Sequence, residues 1–167
     1  MAGKADFTSE EWATILQGIM LAGIAVSAAE PSGLFGLLKE GMASARALVE
    51  ARTDPSADDL VKAAITDFQT PEGLDIARKG VASLVAGSTP AQISEKAVEG
   101  LRQVSSVLDA KAPGDSLAFK TWLHHIADSV ANASKEGGLL GFGGVRVSDA
   151  EKASLEKISA ALNLPDA

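Results

Sequence analysis

His124 and His125 are the two histidines of the chain, and they are the side chains from which a base at neutral pH or an imidazole ligand could come. Neighbouring helical positions point about 100° apart, so the two rings cannot bind one ion together. His124 shares a helix face with Asp128, four residues further on. That spacing is typical of two metal ligands or of a surface ion pair, and both interpretations stand at this point.

Other patterns that carry chemistry are missing from the sequence. The chain has no cysteine, which excludes disulfides, thiolate zinc sites, iron–sulfur clusters and cysteine nucleophiles. It contains neither the Glu-x-x-His nor the His-Glu-x-x-His motif, and no Ser/His/Asp triad order. We therefore predict that the protein is not an enzyme. The clearest remaining carboxylates are interpreted as solvated helix faces; they are Asp58, Asp59, Asp67, Glu95 and Glu99.

Length and composition indicate one domain with a substantial core. The chain has 167 residues, of which 46% are hydrophobic and 22% charged, so a single all-helical domain over residues 1–167 is expected. The net charge of −7 and the even spread of 15 basic residues argue against nucleic acid and against an anionic membrane surface. The absence of cysteine and of a secretory signal favours the cytoplasm.

The side chains above need a scaffold, and its centre is the uncharged stretch from Trp12 to Ala29. Thr8 and Glu11 form the pattern of a capping box in front of it. A helix that is apolar on every side is surrounded by protein or by lipid, and about 18 residues is near the minimum for crossing a bilayer. Acidic residues before the stretch and several polar or small residues within it favour protein. We predict an all-α domain of about seven helices around this buried first helix.

The remaining helices are predicted from their start signals and apolar spacing. A second helix is expected over about 34–51, with Val49 among its inner residues. A third is expected to be capped by Ser56. Starts for the others are predicted at Thr70-Pro71, Thr89-Pro90 with Gln92, Asp115 or Ser116, and Ser148 with Glu151.

A glycine-rich segment over residues 137–144 interrupts this order and contains Leu139, Leu140 and Phe142. Those side chains belong either to the core or to an apolar docking surface. Residues 28–36, which include Leu34 and Phe35, align without a gap with residues 133–141. The match indicates a pseudo-twofold pair of helix–loop–helix units, or it is a coincidence in an alanine- and glycine-rich chain.

The C-terminal part supports a family resemblance. The run from Glu136-Gly137 through Val147 and Glu151 to Leu162 resembles the helix–Asp-Gly-x-Val-x-x-x-Glu-x-x-x-Leu pattern of the tellurite-resistance TerB/DjlA-like helical domains. It also resembles stretches of uncharacterised bacterial proteins. The family resemblance implies an all-α fold of pseudo-symmetric halves and acidic loop residues that contact a divalent metal or a partner in stress response. The family's loop aspartate is replaced here by Glu136 and Glu30.

Two functional hypotheses follow. In the first, the protein is non-enzymatic and acts by contact with a protein partner or a second copy, through the apolar loop residues Leu34, Phe35, Leu139, Leu140 and Phe142. In the second, it is a stress-response protein that binds a divalent metal or a small ligand; the ligand residues are then Glu30, Glu136, Glu151, His124 and Asp128. The first hypothesis is favoured, without a cofactor and without a nucleic-acid or membrane partner.

Overall fold

The computed structural model describes residues 2–28, 46–54, 56–135 and 149–165, and these ranges contain helices and turns but no strand. The all-α prediction is confirmed. The elements are a 3-10 turn (Lys4–Asp6), α1 (Ser9–Ser27), α2 (46–53), α3 (Asp59–Phe68), α4 (Pro71–Val85), α5 (Pro90–Lys111), α6 (Ser116–Lys135) and α7 (Asp149–Ala161).

Helix α1 lies at the centre of the molecule, as the sequence predicts. It contacts α3, α4, α5, α6 and α7. The helix begins at Ser9, earlier than the uncharged stretch, and ends at Ser27, with Ala28 as its C-cap. Most of its length is buried, including ten residues: Trp12, Ile15, Leu16, Gly18, Ile19, Leu21, Ala22, Gly23, Ala25 and Val26.

Glycines permit the close approach of α5 to α1. A Cβ atom added at Gly18 would lie 3.0 Å from Cγ2 of Val104, and one added at Gly100 would lie 2.5 Å from Cδ1 of Leu21. Because side chains at both positions would crowd the opposite helix, the glycines allow the backbones to pack closely. This explains why residues that weaken a helix occur within two of the longest ones.

The predicted starts of α1, α4 and α5 are confirmed. Thr8 Oγ1 accepts a hydrogen bond from the Glu11 amide at 3.2 Å, and the Glu11 carboxylate accepts one from the Thr8 amide at 2.8 Å. Thr70 caps α4, and Thr89 with Gln92 forms the box that begins α5. The predicted cap at Ser148 lies outside the described residues.

The prediction for the start of α3 was wrong by two residues. Asp58 is the N-cap, and its Oδ1 accepts a hydrogen bond from the Leu60 amide at 2.9 Å. Ser56 is engaged in the preceding turn, where its amide and its hydroxyl both donate to Asp54 Oδ1, at 2.8 and 2.7 Å. Asp54 thus holds Ser56 in a turn, and the next suitable acceptor along the chain becomes the cap.

The prediction that Val49 faces the core was also wrong. Its side chain is 54% exposed, whereas Ala47 is 1% exposed. Ala47 and Ala51 are both about 160° from Val49 on the helical wheel, and together with the partly buried Leu48 they form the side of α2 that packs against the core. The prediction used the apolar spacing over about 34–51, most of which lies outside the described ranges. That spacing put the buried stripe on the wrong side of α2.

None of the described helices combines the length and the apolar character needed to span a membrane.

A partly buried polar cluster joins α5, α6 and the turn after α7. Lys120 is 4% exposed, and its Nζ lies 2.6 Å from Asp109 Oδ1, which also accepts a hydrogen bond from the Ser116 hydroxyl at 2.6 Å. Asn163, after α7, donates to the fully buried Ser105 hydroxyl at 3.4 Å. The hydrogen bond from Lys120 lowers the pKa of Asp109, so its carboxylate is charged at neutral pH.

Candidate functional site: an acidic groove between α2, α3 and α6

A groove of about 410 Å³ opens between α2, the turn that follows it, the start of α3 and one face of α6. We call it the acidic groove. The part of the chain that the structure describes contributes no lysine or arginine to its lining; the lining residues are Ala47, Glu50, Ala51, Asp54, Ser56, Ala57, Asp58, Val61, Ala118, Thr121, Trp122 and His125.

Helical spacing explains how separate parts of the chain build the two long walls. On α6, residues 118, 121, 122 and 125 recur at intervals of three and four and therefore lie on one face. Positions 47, 50, 51 and 54 repeat the same spacing along α2 and just beyond it. Small alanines on both walls leave room between the helices, and polar groups line the opening.

Trp122 forms an apolar part of the wall and carries an unsatisfied donor. Its ring packs edge-on against Phe119, with centroids 5.2 Å apart, and the side chain is 7% exposed. The buried Nε1 atom has no hydrogen-bond partner among the described residues. Leaving a buried donor unpaired costs about 1–3 kcal/mol, which the fold tolerates here at an atom that is closed to the groove and to solvent.

Glu50 and His125 face each other across the groove. The distance from His125 Nε2 to Glu50 Oε2 is 4.0 Å, and both side chains are about half exposed. The other oxygen of Glu50 accepts a hydrogen bond from Arg46 Nε at 2.8 Å. Glu50 is therefore partly neutralised from outside the groove, while its second oxygen points toward the histidine.

Asp54 lies in the turn between α2 and α3. The hydrogen bond from the Ser56 hydroxyl has the largest effect on the Asp54 carboxyl and lowers its pKa. The hydrogen bond from the Ser56 amide and the positive charge of Lys62 lower the pKa further. Asp54 is therefore charged at neutral pH and held in a fixed orientation by its own turn.

Asp58 experiences the opposite influence. Burial raises the pKa of its carboxyl, and the neighbouring Asp115 carboxylate raises it further by repulsion. Asp115 is itself fixed by the N-terminal segment, since the Ala2 amide donates to its Oδ2 at 2.8 Å. The folded protein thus holds a charge at Asp58 less readily than the unfolded chain does.

We expect Asp58→Asn to leave the protein as stable as the wild type, or more stable, at about pH 7. Asparagine retains the oxygen that caps α3 and removes the repelled charge. A carboxyl whose pKa is raised by folding stabilises the folded protein while it is protonated. This contribution is complete below the pKa of the unfolded chain, about 3.9, and is lost as the pH rises through the pKa of the folded protein. The advantage of the variant should therefore grow from acid to neutral pH, as measured by urea unfolding at both.

The matched control is Asp58→Ala, which removes the capping oxygen together with the charge. Loss of an N-cap costs about 1 kcal/mol, so this variant should be destabilised in acid, where the wild-type carboxyl is protonated and still caps the helix. An asparagine variant that is less stable than the wild type at neutral pH would contradict the interpretation of Asp58 as a repelled charge.

The apolar loop residues predicted to contact a partner cannot be placed. Leu34, Phe35, Leu139, Leu140 and Phe142 all lie outside the described residues, as do the predicted metal ligands Glu30 and Glu136.

Three other predicted metal ligands are described, and the structure does not bring them together as a site. Glu151 is 3% exposed in the first turn of α7. Asp128 Oδ2 accepts a hydrogen bond from Asn132 Nδ2 at 2.9 Å, and no ion pair joins Asp128 to His124 within the described part of the chain. The described ranges contain no group of three or more His, Cys, Asp or Glu side chains that could hold a metal ion.

Sequence reasoning missed the acidic groove because it treated the acidic residues one by one. Asp58, interpreted as part of a solvated helix face, is half-buried and caps α3. Asp67, interpreted in the same way, accepts hydrogen bonds from Trp12 Nε1 at 2.6 Å and from Lys4 Nζ at 2.9 Å. For Asp58, the available signal was its position directly before an apolar helical pattern, where aspartate is a preferred cap.

The resemblance to tellurite-resistance helical domains stays a prediction. Its C-terminal portion falls on α7, which is helical as the resemblance implies, whereas residues 136–148 lie outside the described ranges. No protein-family model matches this chain, and neither does any curated protein or solved structure.

Proposed function

We propose that this protein is non-enzymatic and acts by contact with a protein partner, with the acidic groove as a contact surface. The observation that carries the proposal is the combination of an open groove, charged side chains along it and an exposed leucine at its edge. Contact surfaces of proteins typically join apolar groups with a polar rim in this way.

The exposed leucine is Leu117 of α6. It is 60% exposed, and within the described residues only Val49 is another large apolar side chain of comparable exposure. Leu117 precedes Ala118 of the groove wall, and its carbonyl accepts a hydrogen bond from the Thr121 hydroxyl at 2.8 Å. An apolar side chain beside a groove gains by being covered, which favours an interaction at this edge.

The arrangement of polar groups supports a binding role over a catalytic one. The histidine of the groove, His125, lies 4.0 Å from the Glu50 carboxylate, which is not a group that an imidazole activates as a nucleophile. Ser56 donates its hydroxyl to Asp54 in a turn, and Asp58 caps a helix. These carboxylates maintain local structure while presenting negative charge to the groove.

The glycine-rich loops remain a second contact surface in this proposal, for a partner or for another copy of the chain. Large apolar residues among glycines in these segments are unfavourable to leave uncovered, which favours contact with a partner. The alternative function, binding of a divalent metal through loop carboxylates, receives no support from the three described candidate ligands.

Selection of a random-peptide display library against the purified protein tests the proposal. We expect enriched peptides whose binding is weakened about tenfold by Leu117→Ser, since burying a leucine is worth about 1.5–3 kcal/mol. Val49→Ser is the matched control, because Val49 is similarly exposed but lies on the side of α2 away from the groove.

The two variants separate a contact at the groove from general stickiness. Equal losses from Leu117→Ser and Val49→Ser would show that the groove edge is not special. A selection that enriches no peptide would contradict the contact function.

A further inference from the structure

We propose that His125 and Glu50 form a pH-sensitive contact that sets how tightly α2 is held against α6. When the imidazole is protonated, its attraction to the carboxylate holds the two walls of the acidic groove together. When the imidazole is neutral, the walls separate more readily. The inference goes beyond the proposed function, because it concerns the groove itself and holds whether or not a partner binds there.

The geometry of the pair suits a contact that depends on charge. His125 lies on α6 and Glu50 on α2, so the contact spans the groove between its two long walls. The distance of 4.0 Å from Nε2 to Oε2 is too long for a hydrogen bond. Opposite charges at that distance still attract each other. The protonated ring therefore gains an interaction that the neutral ring lacks.

The charge of the imidazole decides the direction of the effect. Histidine is the side chain that ordinarily changes its charge between about pH 5 and 8, whereas a glutamate carboxylate ordinarily stays charged over that range. The attraction is therefore present in mild acid and is lost as the pH rises and the ring becomes neutral. We expect α2 to be held more tightly at the acid end of this range.

The other elements around the groove add further charges. Those on the turn, on α3 and on α2 are Asp54, Asp58, Lys62 and Arg46. The two aspartates line the groove, to which the described ranges contribute no lysine or arginine, so a protonated His125 meets negative charge there. Arg46 binds Oε1 of Glu50 at 2.8 Å, which weakens the attraction but leaves Oε2 directed at the ring.

The titratable neighbours of His125 on α6 itself are His124 and Asp128. His124 points about 100° away on the helical wheel, and neither residue lines the groove. Asp128 accepts a hydrogen bond from Asn132 at 2.9 Å. Within the described part of α6, His125 is therefore the titratable group directed at α2.

The attachment of α2 is weak enough for one contact to matter. The side chains that pack against the core are Ala47, which is 1% exposed, Ala51 and the partly buried Leu48. Alanine buries little apolar surface, so this packing contributes less than a stripe of large side chains would. Arg52 adds an exposed hydrogen bond to Gln69 at 2.6 Å. A short helix held in this way opens locally more often than the core helices do.

The experiment measures amide hydrogen exchange of the full-length protein by mass spectrometry at about pH 5.5 and about pH 8, on either side of the range in which histidine titrates. Rates are corrected for the intrinsic pH dependence of exchange. The protection of α2 is divided by that of α5, which does not line the groove and serves as an internal reference for the stability of the whole molecule.

In the wild type, we expect the relative protection of α2 to be about two- to fivefold higher at the lower pH, the size typical of an exposed ion pair. His125→Gln and Glu50→Gln should each remove this difference. His125→Lys keeps a positive charge at both pH values, so α2 should be well protected at both. His124→Gln is the matched control and should preserve the wild-type ratio, because that histidine lies outside the groove lining.

Three results would overturn the inference. They are a ratio near one in the wild type, a ratio that persists in His125→Gln, and an equal loss of the ratio in His124→Gln. The second would assign the pH dependence to another group such as Asp58. The exchange experiment uses no partner, so it can fail while display peptides still depend on Leu117, and it can succeed while the display selection enriches nothing.

Discussion

Replacing Ile19 with aspartate is expected to abolish folding. Ile19 is 4% exposed on α1, the helix that five other helices contact. An unpaired charge in an apolar core costs several kcal/mol, a large part of a total stability of roughly 5–15 kcal/mol. We expect the variant to be recovered as insoluble protein, or to lose its helical far-UV circular dichroism.

Two variants show whether the effect comes from charge in the core. Ile19→Val should cost only about 0.5–1.5 kcal/mol, because it removes a single buried methylene group. Ile24→Asp should be less harmful than Ile19→Asp, since Ile24 is only partly buried. A soluble, cooperatively folded Ile19→Asp protein would contradict the central position of α1.

The helices could be predicted from the sequence because their signals are local. The capping box of Thr8 and Glu11 and the caps at Thr70 and Thr89 each lie within four residues of the amides they satisfy. Such signals need no knowledge of the rest of the chain. The buried stripes of α5 and α6 were predictable for the same reason, because helical spacing alone places Leu101 and Leu123 on an inner face.

The errors in the helix predictions arose where two local signals compete. Ser56 and Asp58 are both acceptable caps, and the choice depends on Asp54, which binds Ser56 first. Val49 fits an apolar stripe, yet α2 packs against the core through Ala47, Leu48 and Ala51. Propensity and spacing cannot decide such cases, since the outcome depends on which neighbour a helix meets.

The acidic groove could not be predicted because its residues are distant in the chain. Glu50 of α2 and His125 of α6 are brought within 4.0 Å by the packing of their helices. Neither residue belongs to a motif, and the sequence around each predicts only a surface side chain. The sequence likewise does not indicate that Trp122 Nε1 is without an acceptor among the described residues, because that depends on how the helices pack.

The second large effect is expected at the ion pair between Asp109 and the buried Lys120. The Lys120 side chain is 5% exposed, and its Nζ lies 2.6 Å from Asp109 Oδ1. Asp109→Asn leaves this ammonium buried without a counter-charge. We expect a loss of about 3 kcal/mol in the free energy of unfolding at neutral pH, near the lower end for broken buried pairs, because Asp109 is half exposed.

The double variant Asp109→Asn/Lys120→Met is the control that identifies the cause. Removing both charges eliminates the uncompensated ammonium, so most of the lost stability should return. The pH dependence gives a second check. The hydrogen bond from Lys120 lowers the pKa of Asp109 in the folded protein. The stability that the charged Asp109 contributes is therefore present above the pKa of the unfolded chain, about 3.9, and is lost as the pH falls through the pKa of the folded protein. The free energies of unfolding of the wild type and of Asp109→Asn, measured with urea, should therefore converge in acid. A double variant that is no more stable than Asp109→Asn would show that the carboxylate acts through Ser116 and not through the lysine.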